Sequence, residues 1–381
     1  MSQEMEMLKK RNFEVELYSV HNDSINNYNF IEKTKAAFDA IWSFSEYKRV
    51  KKYLGKSKPD VVHVHNFFPI ISPSVYYACK KMNIPVVQTL HNYRLLCPAA
   101  TFMREGKVCE KCSEKSLLYS LYYGCYKDSR TNTIPLTSMI SINRAIKTWD
   151  NKVDKYIALT NFAKQKFVEG GLPEQKIEVK PNFIKRTHDI NEILDKDKVI
   201  LFVGRITKEK GIYNLLDSWE KVNNKNGYSL IVLGDGPERE NCLKQYKSKS
   251  IKFLGKKSHS DVLNYIRKAK YIVVPSIWYE GFPMTIIEAY SVGTPIIASE
   301  IGSLKEVVTN GHTGFLFKYN SIEDMVNTLE KAITINDEEY RYIAKCVHDG
   351  FNEKYTEELN FLHLKSIYLD VRRERKSEKA N

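Results

Sequence analysis

The chain has 381 residues, 43% hydrophobic and 28% charged, which is long enough for two domains with their own cores and too apolar for a disordered protein. No run of about 18 apolar residues occurs, so no membrane-spanning helix is expected, and residues 1–10 are neither a signal nor a transit peptide, which points to the cytoplasm. The net charge is +13, of which +10 falls in residues 1–200 (32 Lys and Arg against 22 Asp and Glu); a basic first half suits an anionic membrane surface or a phosphorylated acceptor, and with no arginine-rich arm or nucleic-acid module, nucleic acid ranks last as a partner.

In chain order, residues 3–11 read as a helix, 13–19 as a strand by alternation and 27–54 as a longer helical stretch. Pro59-Asp60 then introduces a short buried-type strand over 61–65. A helix over 74–82 leads through Pro85 to a second strand over 86–90. Apolar strands alternating with amphipathic helices predict a parallel α/β sheet. Both strands end in His-Asn, at His65-Asn66 and His91-Asn92. Ligands bind beyond the carboxyl ends of such strands. His65 reads as a hydrogen-bonded strand-end residue, whereas His91, followed by the polar Asn92-Tyr93-Arg94, reads as functional. His63 shares a strand face with His65, but a metal pair would need more ligands than are evident.

An insertion follows with Cys97, Cys109, Cys112 and Cys125 in the pattern C-x11-C-x2-C-x12-C. In a cytoplasmic chain disulfides are not expected. A C-x2-C pair with one cysteine on each side suits a closed, structural tetrahedral zinc site; four independent buried thiols are the alternative. Residues 117–123 are rich in apolar and aromatic side chains with Lys111, Lys115, Lys127 and Arg130 nearby. They read as a helix packing face, with a lipid interface as the second choice.

Residues 140–149 read as helical, 155–159 as a strand, 160–168 as a capped helix and 177–180 as the last strand of this half. The charged segment 185–198 reads as a linker. Its Asp195-Lys196-Asp197 looks like a metal-holding acidic pair but precedes a strand, and is discounted as a metal site. The second half opens with a buried strand over 199–203 and Gly204. Arg205, Lys208, Lys210 and Gly211 follow in a loop before a helix over 212–222. Such a cation-bearing loop before a helix suits a polyphosphate. Strands over 229–233, 251–254 and 271–275 alternate with helices over 238–248 and 261–269.

The stretch after residue 275 concentrates the chemistry. Glu280 and Glu288 flank seven residues, with Glu280 in a loop and Glu288 on the first turns of a helix. Gly281 lets a ligand approach the backbone, and the helix start offers amides to an anion. Carboxylates suit hydroxyls and amides suit phosphate, so a sugar diphosphate fits both. Gly293-Thr294-Pro295 ends this helix. A strand over 296–299, a helix start at Gly302, the turn Gly311–Gly314, a strand over 315–317 and two helices, the final one over roughly 358–375, complete the chain, ending in a basic tail.

The set Gly204-Arg205…Lys210-Gly211, Gly234-Asp235-Gly236-Pro237, Glu280-Gly281-Phe282-Pro283…Glu288-Ala289, Gly293-Thr294-Pro295 and Gly311…Gly314 resembles the family-4 retaining glycosyltransferases of GT-B fold, of the bacterial polysaccharide-assembly type. The first half matches through His91-Asn92-Tyr93-Arg94, residues 154–160 and Pro181-Asn182. The resemblance implies two Rossmann-like, doubly wound α/β domains facing across a cleft. These are an acceptor-side domain (1–184, insertion about 95–130), a linker (185–198), a donor-binding domain (199–355) and a C-terminal helix and tail (356–381) that packs back on the first domain. It implies a metal-independent hexosyltransferase using a nucleotide-diphosphate sugar and a lipid-linked or polysaccharide acceptor, with no cofactor for catalysis. Gly204, Arg205 and Lys210 would bind the diphosphate and Glu288 the ribose. The backbone of Gly281, Phe282, Met284 and Thr285 would hold sugar and phosphate, Glu280 would meet the transferred sugar, and His91 would contact the donor sugar or the departing β-phosphate. Members open with a strand and glycine-rich loop, and this sequence starts near the first helix after them. The first domain is therefore expected to lack that strand, and a catalytically impaired nucleotide-sugar-binding module is the alternative.

Overall fold

The computed structural model describes residues 1–20, 30–185 and 196–380. The chain divides into two compact units. The first comprises residues 1–102, 109–180 and those from Phe361 onward, and the second comprises 103–108 and 181–360.

The first unit is built on four parallel strands among the described residues: β1 (Val62–Val64), β2 (Val86–Leu90), β5 (Lys155–Ala158) and β6 (Ile177–Val179), in the order β1-β2-β5-β6. The short antiparallel hairpin β3 (Met103–Arg104) and β4 (Lys107–Val108) lies between β2 and β5 in sequence and groups with the second unit. Registers Val87↔Lys155 and Tyr156↔Ile177 place apolar side chains on both faces, and Val87, Tyr156, Ile157 and Tyr76 are fully buried. Full burial of each such side chain contributes about 1.5–3 kcal/mol. Helices start where the sequence supplies caps. Ser43 accepts from Glu46 N–H before helix Phe44–Ser57, and Thr160 accepts from Ala163 N–H before helix Asn161–Glu169. The last helix, Glu357–Ala380, joins the first unit from Phe361 onward. Its Tyr368 hydroxyl meets His63 Nδ1 at 2.7 Å, and Arg375 reaches Asp154 at 2.8 Å.

Several elements differ from the sequence expectation. Residues 13–19 form no strand. Their alternation is real, but a strand needs a ladder partner. Here the segment is held by side chains instead: Phe13 packs edge-on against Phe361, and Tyr18 and Tyr53 donate to Glu46 and Glu16. The stretch 27–54 is two helices, Phe30–Ile41 and Phe44–Ser57, divided at Ser43 because that serine caps the second; residues 27–29 lie outside the described residues. Helix Arg130–Ala145 begins ten residues before the expected start, capped by Ser129 and tolerating Pro135 in its second turn. Linker residues 186–195, Asp195 included, lie outside the described residues.

The second unit carries six parallel strands among the described residues: β7 (Asp197–Val203), β8 (Ser229–Leu233), β9 (Ile251–Gly255), β10 (Ala269–Val274), β11 (Ile296–Ser299) and β12 (Gly314–Phe317), in the order β12-β11-β10-β7-β8-β9. The chain runs outward from β7 to β9, then returns to the other side of β7 for β10 and runs outward again. The order therefore reverses between β7 and β10, and the crevice beyond such a reversal is where open α/β sheets bind ligands. Both central strands are buried runs, with Ile200, Leu201, Tyr271 and Ile272 at 0% exposure.

Candidate active site

The loops after β7, β8 and β10 are drawn together by backbone that tolerates no side chain. Gly211 has φ +71°, and a Cβ there would lie 1.8 Å from the Pro275 carbonyl oxygen; a Cβ on Gly234 would lie 1.8 Å from the Gly204 oxygen. Ile277 N–H donates to the Glu209 carbonyl at 3.0 Å, and Ile206 N–H to that of Asp235 at 2.9 Å. The cationic loop is thereby tied to the Glu280 loop at the β7/β10 reversal.

Lys210 Nζ donates to Glu280 Oε1 at 2.7 Å, Ser276 Oγ donates to the same oxygen at 2.6 Å, and Trp278 Nε1 at 2.9 Å. The Lys210 ammonium also lies 5.5 Å from the Trp278 ring centroid. Glu280 is 5% exposed, and a carboxylate so buried is held by its charge partner and its neutral donors. An ammonium carries three N–H donors, so engagement of Glu280 still leaves capacity for an anion. Arg205 is exposed and Gly204 half-buried at the end of β7. Ser276 and Trp278 were missed in the sequence; a hydroxyl and an indole N–H four and two residues before a candidate carboxylate were the signal available.

Helix Met284–Ser291 starts at Pro283 with no side-chain cap. Gly281, Met284 and Thr285 are half-buried, whereas the Phe282 ring is in the core, 5.7 Å from the Tyr355 ring. Phe282 can therefore offer a ligand its backbone but not its side chain. Glu288 is 8% exposed. Burial raises its pKa against the opposing pull of His259, whose Nδ1 lies 3.9 Å away. Such a carboxyl has little compensation of its own and gains from hydroxyl donors on a ligand. His259 is a further residue that the sequence did not single out.

In the first unit His91 follows β2 and His65 follows β1. His65 Nδ1 and His91 Nε2 are 2.9 Å apart, and the two rings stack. His65 Nε2 lies 3.3 Å from Glu4 Oε2, and Lys180 Nζ donates to Glu4 Oε1 at 3.0 Å. Burial alone would raise the Glu4 carboxyl, but the charges of Lys180 and the neighbouring histidines outweigh it and bring the pKa down to about 2. Burial, partly opposed by Glu4, lowers His65 to about 4, and it also lowers His91 and His63. His63 spends both ring nitrogens on hydroxyls, those of Tyr368 and Thr89. His65, expected to be a simple strand-end residue, is the direct partner of His91.

The insertion cysteines converge in part. Burial pushes the Cys112 thiol up to about 12, with Cys97, Cys125 and Cys109 near enough to add to the rise. All four are free thiols. Among the described residues, however, no group of three or more His, Cys, Asp or Glu side chains is placed to hold a metal ion. The chemistry proposed below uses no metal. No described helix is long and apolar enough to cross a membrane.

Residues 3–187 match the family described as Glycosyltransferase Family 4, and residues 183–346 match that described as Glycosyl transferases group 1. Between them they cover residues 3–346. The chain belongs to the family-4 glycosyltransferases. An uncharacterised glycosyltransferase of Methanocaldococcus jannaschii is 30% identical over 45% of this chain and 48% of its own length. The capsular polysaccharide biosynthesis glycosyltransferase CapM of Staphylococcus aureus is 25% identical over 65% of each. The chain thus spans about half of the one relative and 65% of the other. The crystal structure of Anabaena HepE in complex with UDP superposes with a TM-score of 0.62 at 16% identity, covering 84% of this chain and 80% of that one. That likeness is one of fold: two Rossmann-like α/β domains of GT-B type.

Proposed function

We propose that this glycosyltransferase moves a hexose from a nucleotide-diphosphate sugar to a lipid-linked or polysaccharide acceptor with retention of configuration and without a catalytic metal. The observation that carries the reading is the Lys210–Glu280 ion pair at the β7/β10 reversal, beside the uncapped start of helix Met284–Ser291. A cation and helix amides suit a diphosphate, and a buried carboxylate within reach of them suits sugar hydroxyls and positive charge at the anomeric carbon. A carboxylate-pair hydrolase would leave the cationic loop without a role. HepE is described in complexes with UDP and with UDP-glucose, and CapM acts in capsular polysaccharide biosynthesis, which favours this substrate class here.

In this proposal Arg205 and Lys210 bind the diphosphate, with Gly204 leaving room for it, and Glu288 accepts from ribose hydroxyls. The backbone of Gly281, Phe282, Met284 and Thr285 holds sugar and phosphate. The bond from the anomeric carbon to the phosphate oxygen breaks with its electrons going to phosphate, as Glu280 stabilises the positive charge that develops. The acceptor oxygen bonds to the anomeric carbon on the same face, and its proton passes to the departing phosphate. His91 meets a hydroxyl of a substrate. The basic first half, with Leu118 and Tyr122 each 66% exposed on helix Leu118–Tyr123, suits peripheral attachment to the cytoplasmic face of an anionic membrane. Nucleoside-diphosphate release from a panel of nucleotide-sugars tests the reading. Release should persist in EDTA and fall at least about a hundredfold in Lys210→Ala. Calorimetric binding of a nucleotide without turnover of any donor would instead support the impaired-module alternative.

A further inference from the structure

We infer that Glu4 and His65 fix His91 in the tautomer with hydrogen on Nε2 and a bare Nδ1, so that His91 accepts from a sugar hydroxyl and does not donate to a phosphate. The tautomer stands on geometry within the first unit; only the word sugar rests on the function proposed above. Two contacts in series carry it. His65 Nε2 faces the Glu4 carboxylate at 3.3 Å, where a lone pair would be repelled and an N–H attracted. A neutral His65 with hydrogen on Nε2 has a bare Nδ1. That nitrogen is 2.9 Å from His91 Nε2, which must then be the donor. A neutral His91 that donates from Nε2 has its lone pair on Nδ1, and among the described residues Nδ1 has no hydrogen-bond partner while part of the residue is exposed.

The surroundings keep both rings neutral. Around them stand the Glu4 carboxylate, Lys180, His63 and the Met1 amino group, 4.0 Å from Glu4. Tyr368 and Thr89 bond to His63, whose ring lies beside that of His65. Lys180 holds Glu4 ionised, and burial opposes a proton on either His65 or His91. Glu4 and His65 are thus positioning residues: they touch no substrate and set which atom of His91 can. Three of the participants, His65, His91 and Lys180, each lie just past the carboxyl end of a different strand, and helix Ser2–Lys10 supplies the fourth.

The test is a two-bond 1H–15N correlation spectrum of the full chain, labelled with 15N-histidine, at pH 7.5 without ligand. His91 is assigned by the signals lost in His91→Asn. The expected spectrum has His91 Nε2 protonated and Nδ1 bare. In Glu4→Gln the amide can donate to His65 Nε2, the series can reverse, and a population of His91 with hydrogen on Nδ1 should appear; His65→Phe should give a tautomer mixture. Hydrogen on Nδ1, or on both nitrogens, in the unaltered chain would overturn the inference, and so would an unchanged His91 pattern in both variants. If either variant fails to fold, the unaltered chain still decides the tautomer. The catalytic consequence is read with UDP-glucose, UDP-galactose, UDP-N-acetylglucosamine and GDP-mannose as probes. Glu4→Gln should lower kcat at least about tenfold with little change in KM, and an unchanged kcat beside a reversed tautomer would overturn the role assigned to His91. Absence of turnover in the unaltered chain would overturn the proposed function and leave the spectrum standing.

Discussion

The two units reach a similar end by different means. In the second, strand order reverses between β7 and β10, and the crevice there receives two loops whose charges pair directly, Lys210 on Glu280. In the first, the order β1-β2-β5-β6 runs one way among the described residues, and the polar groups form a series, Lys180 to Glu4 to His65 to His91. A pair of loops on neighbouring strands can be read from a sequence, since both lie at carboxyl ends. A series drawn from three strand ends and a distant helix cannot, because no spacing announces it.

That contrast can be broken experimentally, and because two units need not unfold together, hydrogen exchange resolved by peptide is the suitable readout. The largest effect is expected at Gly211. Gly211→Ala sets a Cβ against the Pro275 oxygen at positive φ, and should cost about 3 kcal/mol or more in the second unit. Gly171→Ala in the first unit, at φ +96° with nothing within 4 Å, should cost only about 1–2 kcal/mol. Equal costs would mean that the loop approach at Pro275 is not tight.

Next come the two lysines. Lys180→Met leaves the Glu4 carboxylate beside neutral histidines and should destabilise the first unit by about 3 kcal/mol. Lys210→Met leaves Glu280 with its Ser276 and Trp278 donors and should cost the second unit less, about 2 kcal/mol. The reverse order would contradict the division between paired and serial sites.

The pH response sharpens the same difference. His65 is lowered to about 4 against an ordinary 6.5, so between those values the unfolded chain binds the proton and the folded one does not. Stability from this group is full above about pH 6.5 and falls as pH drops toward 4, by about 2 kcal/mol at pH 5. Glu4 adds a second loss only as pH falls from 4.5 through about 2. Exchange in peptides around residues 62–65 should speed up on going from pH 7.5 to 5 after correction for intrinsic rates, and His65→Gln should remove most of that change. The smallest effect is expected at the exposed pair Lys305–Glu300, 2.8 Å apart, where Lys305→Ala should change stability by less than about 0.5 kcal/mol and leave turnover intact.

Much of the second unit was legible because its signals are local: buried apolar runs gave β7, β8, β10 and β11, and glycines marked the turns that must approach another backbone. Glu280 and Lys210 stood out as charges in loops between such elements. Ser276 and Trp278 did not, since hydroxyl and indole donors are common and only the folded loop shows them converging on one oxygen. In the first unit, residues 13–19 carry a strand's alternation without a strand's partner, and Pro135 hid the start of helix Arg130–Ala145. Glu4 looked like one more charge on an amphipathic helix. Its role depends on Lys180 and His65, more than 60 residues away in the chain.

If the Lys210–Glu280 pair serves sugar transfer from a nucleotide-sugar, turnover needs both of its members. The direct measurement is nucleoside-diphosphate release by the unaltered chain, Lys210→Ala and Glu280→Ala over the donor panel, with folding of each variant checked by hydrogen exchange. Release by the unaltered chain with at least one donor, and its near-complete loss in both folded variants, are the expected results. Undiminished turnover in either variant would contradict that role for the pair.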